Sequence, residues 1–178
     1  MKFIRDLLFF ELQTTGNNPD KDSILQVSGV LLDKDNLLEK DYFNAYVRVS
    51  YLENIIAQHA KLLGIEAEVL KRSAKIYDVA KQFRLKFGND VLLATHTLTN
   101  VLFFKNGFKK AALHFDYEPH IVDLWTLGYI YTLNYGLKKM PTFHTFVSLL
   151  GFKNPHPQDA FEKVKLETEI FKKIIKEV

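Results

Sequence analysis

Cysteine is absent from this 178-residue chain, which excludes a disulfide framework, a zinc-thiolate site and a thiol nucleophile, so any metal would rest on oxygen or imidazole ligands. The absence fits a cytoplasmic protein. Long apolar runs are missing too. The opening MKFIRDLLFFELQ is interrupted by Arg5 and Asp6, and nowhere do apolar residues approach the ~18 in succession that a bilayer span needs. Neither a secretory signal nor a membrane helix is expected. There is no internal repeat, low-complexity tract or linker. Charge of one sign is barely in excess: 24 Lys and Arg against 21 Asp and Glu leave +3, a bias that permits a nucleic-acid partner without requiring one. What is present is 47% hydrophobic and 25% charged residues, ordinary for a chain long enough to bury one core. A single domain over residues 1–178 is expected.

The pattern of apolar residues gives the order of elements. Leu7 to Leu12 is almost continuously apolar and stops at the turn-forming Thr14-Thr15-Gly16-Asn17-Asn18-Pro19, which predicts a central strand followed by a loop. Ser23 to Leu32 and the alternating Tyr42 to Val49 complete a three-stranded antiparallel meander. From Tyr51 to Phe87 the alternation gives way to helix formers divided by Gly64, with Val79, Phe83 and Phe87 four residues apart, so two helices are predicted. A strand at Val91 to Ala94, a helix at Thr99 to Phe108 and a short strand at His120 to Val122 follow. Leu124 to Leu133, Phe143 to Leu150 and the lysine-rich Ala160 to Val178 each read as helices. This order predicts an α/β domain whose mixed central sheet, the meander plus parallel strands, is flanked by helices. Ligands of such sheets bind outside strand ends, which directs attention to loops 13–19, 95–100 and 153–159.

Those loops bear a resemblance. FFELQTTGNNPDKDSILQVSGVLLDKDN resembles the first motif of the DnaQ-like, DEDDh-type 3′-to-5′ exonucleases, in which a strand delivers Asp-x-Glu and then Thr-Thr-Gly. LLGIEAEVL, VLLATHTLTNVLFF, HIVDLWTLGYIY, KMPTFHTFVSLLGF and NPHPQDAFEKVKLETEIF resemble its later landmarks in the same order. The resemblance implies a ribonuclease H-like fold. It also implies hydrolysis by two divalent metals, Mg2+ or Mn2+, held by four carboxylates with a histidine as general base. Carried over position by position, the first Asp falls on Glu11 and the Glu on Gln13. The second-motif Asp falls on Val101, or on Asn100 if one residue is skipped, and the last on Asp159. The general base falls at Asn154 by spacing, with His156 the nearest histidine. Two carboxylates remain, Glu11 and Asp159, and they are the candidate metal ligands. Leu12, Thr14, Thr15, Gly16, His96 and Asn100 fall where the family meets the terminal nucleotide.

Each of these positions also has a plainer reading. Asp159 is placed to cap the helix that begins at Ala160, His96 suits a structural histidine at a strand end, and Thr-Thr-Gly suits a turn. Lys109-Lys110, Lys138-Lys139 and Lys172-Lys173 suit either phosphate or solvent. Phe103, Phe104, Phe143 and Phe146 have the spacing of core residues rather than of base-stacking platforms. The expectation is a degenerate exonuclease-fold protein, catalytically impaired, that still binds single-stranded nucleic acid at a 3′ end. Alternatives are an active metal-dependent exonuclease on DNA or RNA, and an accessory or scaffold module that rides with a polymerase or another replication or repair protein.

Overall fold

The computed structural model describes residues 2–49, 53–137, 139–153 and 158–177. Its five strands are β1 (Leu7–Thr14), β2 (Ile24–Leu32), β3 (Glu39–Tyr46), β4 (Leu92–Thr95) and β5 (Val122–Asp123). They form one sheet in the order β3-β2-β1-β4-β5. β1 pairs antiparallel with β2, which pairs antiparallel with β3; β1 and β4, and β4 and β5, are parallel. The predicted meander plus parallel strands is therefore the observed sheet.

β1 sits at the centre because both of its faces are apolar. Leu8, Phe10 and Leu12 point to a cluster with α3 (Ile76–Phe87) and α4 (Leu98–Lys110). Leu7 and Phe9 point the other way, to α5 (Leu124–Thr132), α6 (Phe143–Leu149) and α7 (Ala160–Glu177). Side chains alternate along a strand, so Glu11 and Gln13 continue the second face beyond its apolar part. α7 lies antiparallel along β1: Phe171 packs on Phe9 with ring centroids 5.1 Å apart, while Lys163, two turns earlier, reaches Glu11. The first half of α7 thus covers the polar end of β1, and this positions the candidate site. A third, smaller cluster of Leu25, Val49, Ile56, Ala60, Leu63 and Leu70 holds α1 (Glu53–Leu63) and α2 (Ala67–Arg72).

Two boundaries differ from the sequence expectation. The stretch to Phe87 holds three helices, not two, because the chain is extended between α2 and α3. Ala74 forms a parallel bridge with Val47, and its carbonyl accepts from the Arg48 amide at 2.8 Å. That long-range pairing, invisible in local spacing, outweighs helix propensity at Ser73 to Lys75. The last strand is two residues, Val122–Asp123, and Asp123 also caps α5 by accepting from the Thr126 amide at 2.6 Å. Among the described residues no helix is long and apolar enough to cross a membrane.

Candidate nuclease-like site

Glu11 is 3% exposed, and both carboxylate oxygens are engaged. Oε2 accepts from Asn100 Nδ2 at 2.7 Å, and the same nitrogen lies 2.8 Å from Thr95 Oγ1 at the end of β4. Oε1 accepts from Lys163 Nζ at 2.5 Å. Of the two positions read for the second motif, Asn100 faces Glu11, whereas Val101 packs against the core on the other side of the sheet. Lys163 also lies 3.9 Å from Glu167 Oε1 and 5.5 Å from the centroid of the Phe143 ring. Burial alone would push the lysine pKa down, but the negative charge at Glu11 and Glu167 holds it above the ordinary value, so the side chain is an ammonium.

Glu167 is fully buried, and its polar neighbours are the Glu11 carboxyl group, the Lys163 ammonium and the His96 backbone. Burial, and after it the charge on Glu11, raises its pKa well above the ordinary 4.5, so the folded chain keeps this proton to a higher pH than the unfolded one. The unfolded chain ionises this group near 4.5. From that pH upward the folded state holds the extra proton, and stability falls as pH rises until the folded group itself ionises. Glu167→Gln, neutral at every pH, is expected to remove this fall. Melting curves should place variant and wild type together near pH 4 and the variant higher at pH 8. A variant that melts below wild type at pH 8 would mean that Glu167 is ionised and paired.

Asp159 stands at the start of α7, where helix amides lack partners. Its Oδ1 accepts from the amides of Phe161 at 2.8 Å and Glu162 at 2.9 Å, and its Oδ2 lies 3.4 Å from Gln26 Nε2. Gln26 Oε1 accepts from the Ala160 amide at 3.0 Å, and its amide donates to Asn44 Oδ1 at 3.0 Å. The capping role of Asp159 is therefore filled, and no amide of that first turn is left for an anion. Gln13 donates to Gln158 Oε1 at 3.1 Å. His156 and Asn154 lie outside the described residues, as does Lys138.

The remaining candidates are placed as follows. His96 is buried edge-on against Phe143 and Phe146, with centroids 4.7 and 6.2 Å away. Burial, then the Lys163 charge, lowers its pKa to about 3, so it is a neutral ring in an aromatic setting. The side chain of Leu12 is buried in the core opposite Glu11. Thr14 Oγ1 donates to the Gly16 carbonyl at 2.7 Å, and the Thr15 hydroxyl accepts from the Ser23 amide at 3.0 Å. Asp22 closes the loop by accepting from the Asn18 amide at 2.8 Å, and a Cβ at Gly16 would meet its carboxylate at 2.5 Å. Gly16 is thus needed for close approach, and the turn reading of Thr-Thr-Gly is supplied by internal bonds. Lys172 pairs with Glu169 at 2.7 Å, and Lys173 reaches the Leu150 carbonyl at 2.8 Å. Beside the site, a cavity of about 400 Å³ runs between the end of α1 and the start of α7, lined by Leu63, Gly64, Gln158, Asp159 and Glu162.

The donor set does not suit a pair of divalent cations, which prefer several carboxylate oxygens. One Glu11 oxygen faces an ammonium and the other an amide, Asp159 binds its own helix, and the Gln13 and Asn100 positions offer only neutral amides. Among the described residues no three His, Asp or Glu side chains converge as metal ligands would. Sequence reasoning missed Lys163, Glu167 and Gln26. A signal existed for the first two: Asp159, Lys163 and Glu167 are four apart, on the stripe of α7 that also carries Val164, Ile170 and Phe171, and charges on a buried stripe are uncommon unless paired.

Residues 9–159 match the family model RNase_T, described as an exonuclease. A DNA polymerase III of PolC type from Caldanaerobacter subterraneus is 27% identical over 177 residues, covering 97% of this chain and 12% of that protein. The chain thus spans only about an eighth of that relative, and 7% of a PolC-type polymerase from Listeria innocua that is 29% identical over 104 residues. Among solved structures, the nuclease domain of 3′hExo, a DEDDh member bound to rAMP, superposes with a TM-score of 0.77 at 17% identity, covering 99% of this chain and 95% of that one. At that identity the likeness shows the ribonuclease H-like fold.

Proposed function

Since this chain belongs to the RNase_T exonuclease family, we propose that it is a degenerate 3′-to-5′ exonuclease-fold protein, catalytically impaired, that binds single-stranded nucleic acid at a strand end. The observation that supports this reading is the 2.5 Å contact between Lys163 Nζ and Glu11 Oε1. When bound in such enzymes, a metal pair activates water and stabilises the leaving oxygen. In this chain the groups at the corresponding positions do other things. Lys163 neutralises Glu11, Asn100 fixes its orientation, Asp159 caps α7, and Gln13 offers an uncharged amide. Strand-end binding would fall to the rim, where the Thr14–Gly16 turn and the neutral His96 stay in place. The setting we assign is cytoplasmic, in keeping with the lack of cysteine.

The test is a 5′-labelled single-stranded oligonucleotide, DNA and RNA, incubated in Mg2+ and then in Mn2+, with binding followed in parallel by fluorescence anisotropy. The expected outcome is no ladder of shortened products and a saturable anisotropy increase. A ladder that vanishes in Asp159→Ala would sink the impaired-enzyme reading. An oligonucleotide neither cut nor bound would favour a second reading, which the PolC relatives support: an accessory module for a replication or repair polymerase.

A further inference from the structure

We infer that Lys163 is a resident cation of this site: its ammonium holds together two carboxyl groups, Glu11 and Glu167, and closes to metal ions a position that a single divalent cation would otherwise take. One carboxyl group, Glu11, stands at the first-motif position, and the other comes from further along α7. Glu167 lies two turns beyond Asp159 on α7, fully buried, with Oε1 3.9 Å from the ammonium. Glu11 contributes the oxygen at 2.5 Å from the opposite wall, and the Phe143 ring closes a third side at 5.5 Å from Nζ. The ammonium stabilises the ionised Glu11 carboxylate, and without it two carboxyl groups this deep would stay close only by sharing a proton. The chain supplies that charge covalently. The lysine side chain is 21% exposed while the two glutamates are 4% and 0% exposed, so its stem is what plugs the route from solvent.

Two consequences are measurable. Ligand binding at this site needs no metal, and removing the plug creates a metal site. In the wild type, Mn2+ titrated under electron paramagnetic resonance should show no saturable site, and melting temperature should be the same in EDTA and in Mn2+. Lys163→Ala should gain one Mn2+ site, bind at least about tenfold more tightly than wild type, and melt higher with Mn2+ than without. Lys163→Met, which loses the same charge but keeps the plug, should gain none. Adding Glu167→Gln to Lys163→Ala should weaken the new site. Saturable Mn2+ binding to the wild type, with a rise in melting temperature, would overturn the inference without any variant having to fold. A folded Lys163→Ala protein that binds Mn2+ no better than Lys163→Met would overturn it as well.

The oligonucleotide arm rests on the strand-end reading above, and the metal arm does not. Binding of the labelled oligonucleotide should be equal in EDTA and in Mg2+. Binding only with Mg2+ would overturn the resident-cation inference and leave strand-end binding standing. No binding under either condition would remove the strand-end reading, and the Mn2+ measurements would still decide the role of Lys163.

Discussion

Lys163→Met should lower the free energy of unfolding by about 3–5 kcal/mol, measured by urea denaturation at pH 7. The size comes from what is left behind. Glu11 is 4% exposed on its side chain and loses its partner at 2.5 Å, while Glu167 loses the nearest positive charge. Removing one member of such a pair strands the other, and stranding costs more than the pair itself contributes. The double variant Lys163→Met with Glu11→Gln should recover most of the loss. A glutamine keeps an acceptor for Asn100, and its amide can donate toward Glu167. Equal and additive losses in the two single variants and the double would mean that the residues do not interact.

Phe104→Ala should cost about 3–5 kcal/mol as well, by a different route. Its ring is 1% exposed and lies among Phe10, Phe83, Phe108, Phe115 and Tyr117, with centroids 4.9 to 6.2 Å away. Truncation would leave a hole that rigid neighbours cannot fill. Nucleic-acid binding at 10 °C, where the variant remains folded, should be unchanged. A variant of normal stability with weakened oligonucleotide binding would instead make Phe104 a stacking platform.

The core of aromatic residues was legible because spacing alone identifies it. Phe104 and Phe108 sit one turn apart on α4, and Val79, Phe83 and Phe87 do the same on α3. β1 was legible for a similar reason, since a short run apolar at every position leaves no solvent face. The site was read in part. Glu11, Gln13 and Asp159 fall at fixed offsets from the Thr-Thr-Gly turn and the α7 start, so pattern sufficed. Asn100 against Val101 was undecidable from an alignment of motifs, yet Asn100 lies on the same helical stripe as Phe103, Phe104 and Gly107. Lys163 was passed over because lysines on an amphipathic helix ordinarily face water. Its destination depends on α7 crossing β1 at one particular height, and that is set by Phe171 meeting Phe9 eight residues beyond Lys163. Gln26 needed the sheet register as well: only its position opposite Gln13 brings its amide under the first turn of α7.

The small cluster under α1 and α2 has a bearing on timing. Among the described residues its six buried members form a cluster apart from the two larger ones on either face of the sheet, and a unit with so little apolar backing detaches at lower cost than the sheet itself. The last residues of α1 form one wall of the 400 Å³ cavity beside Asp159. Amide hydrogens of α1 and α2 should therefore exchange with solvent sooner than those of β1 and β2.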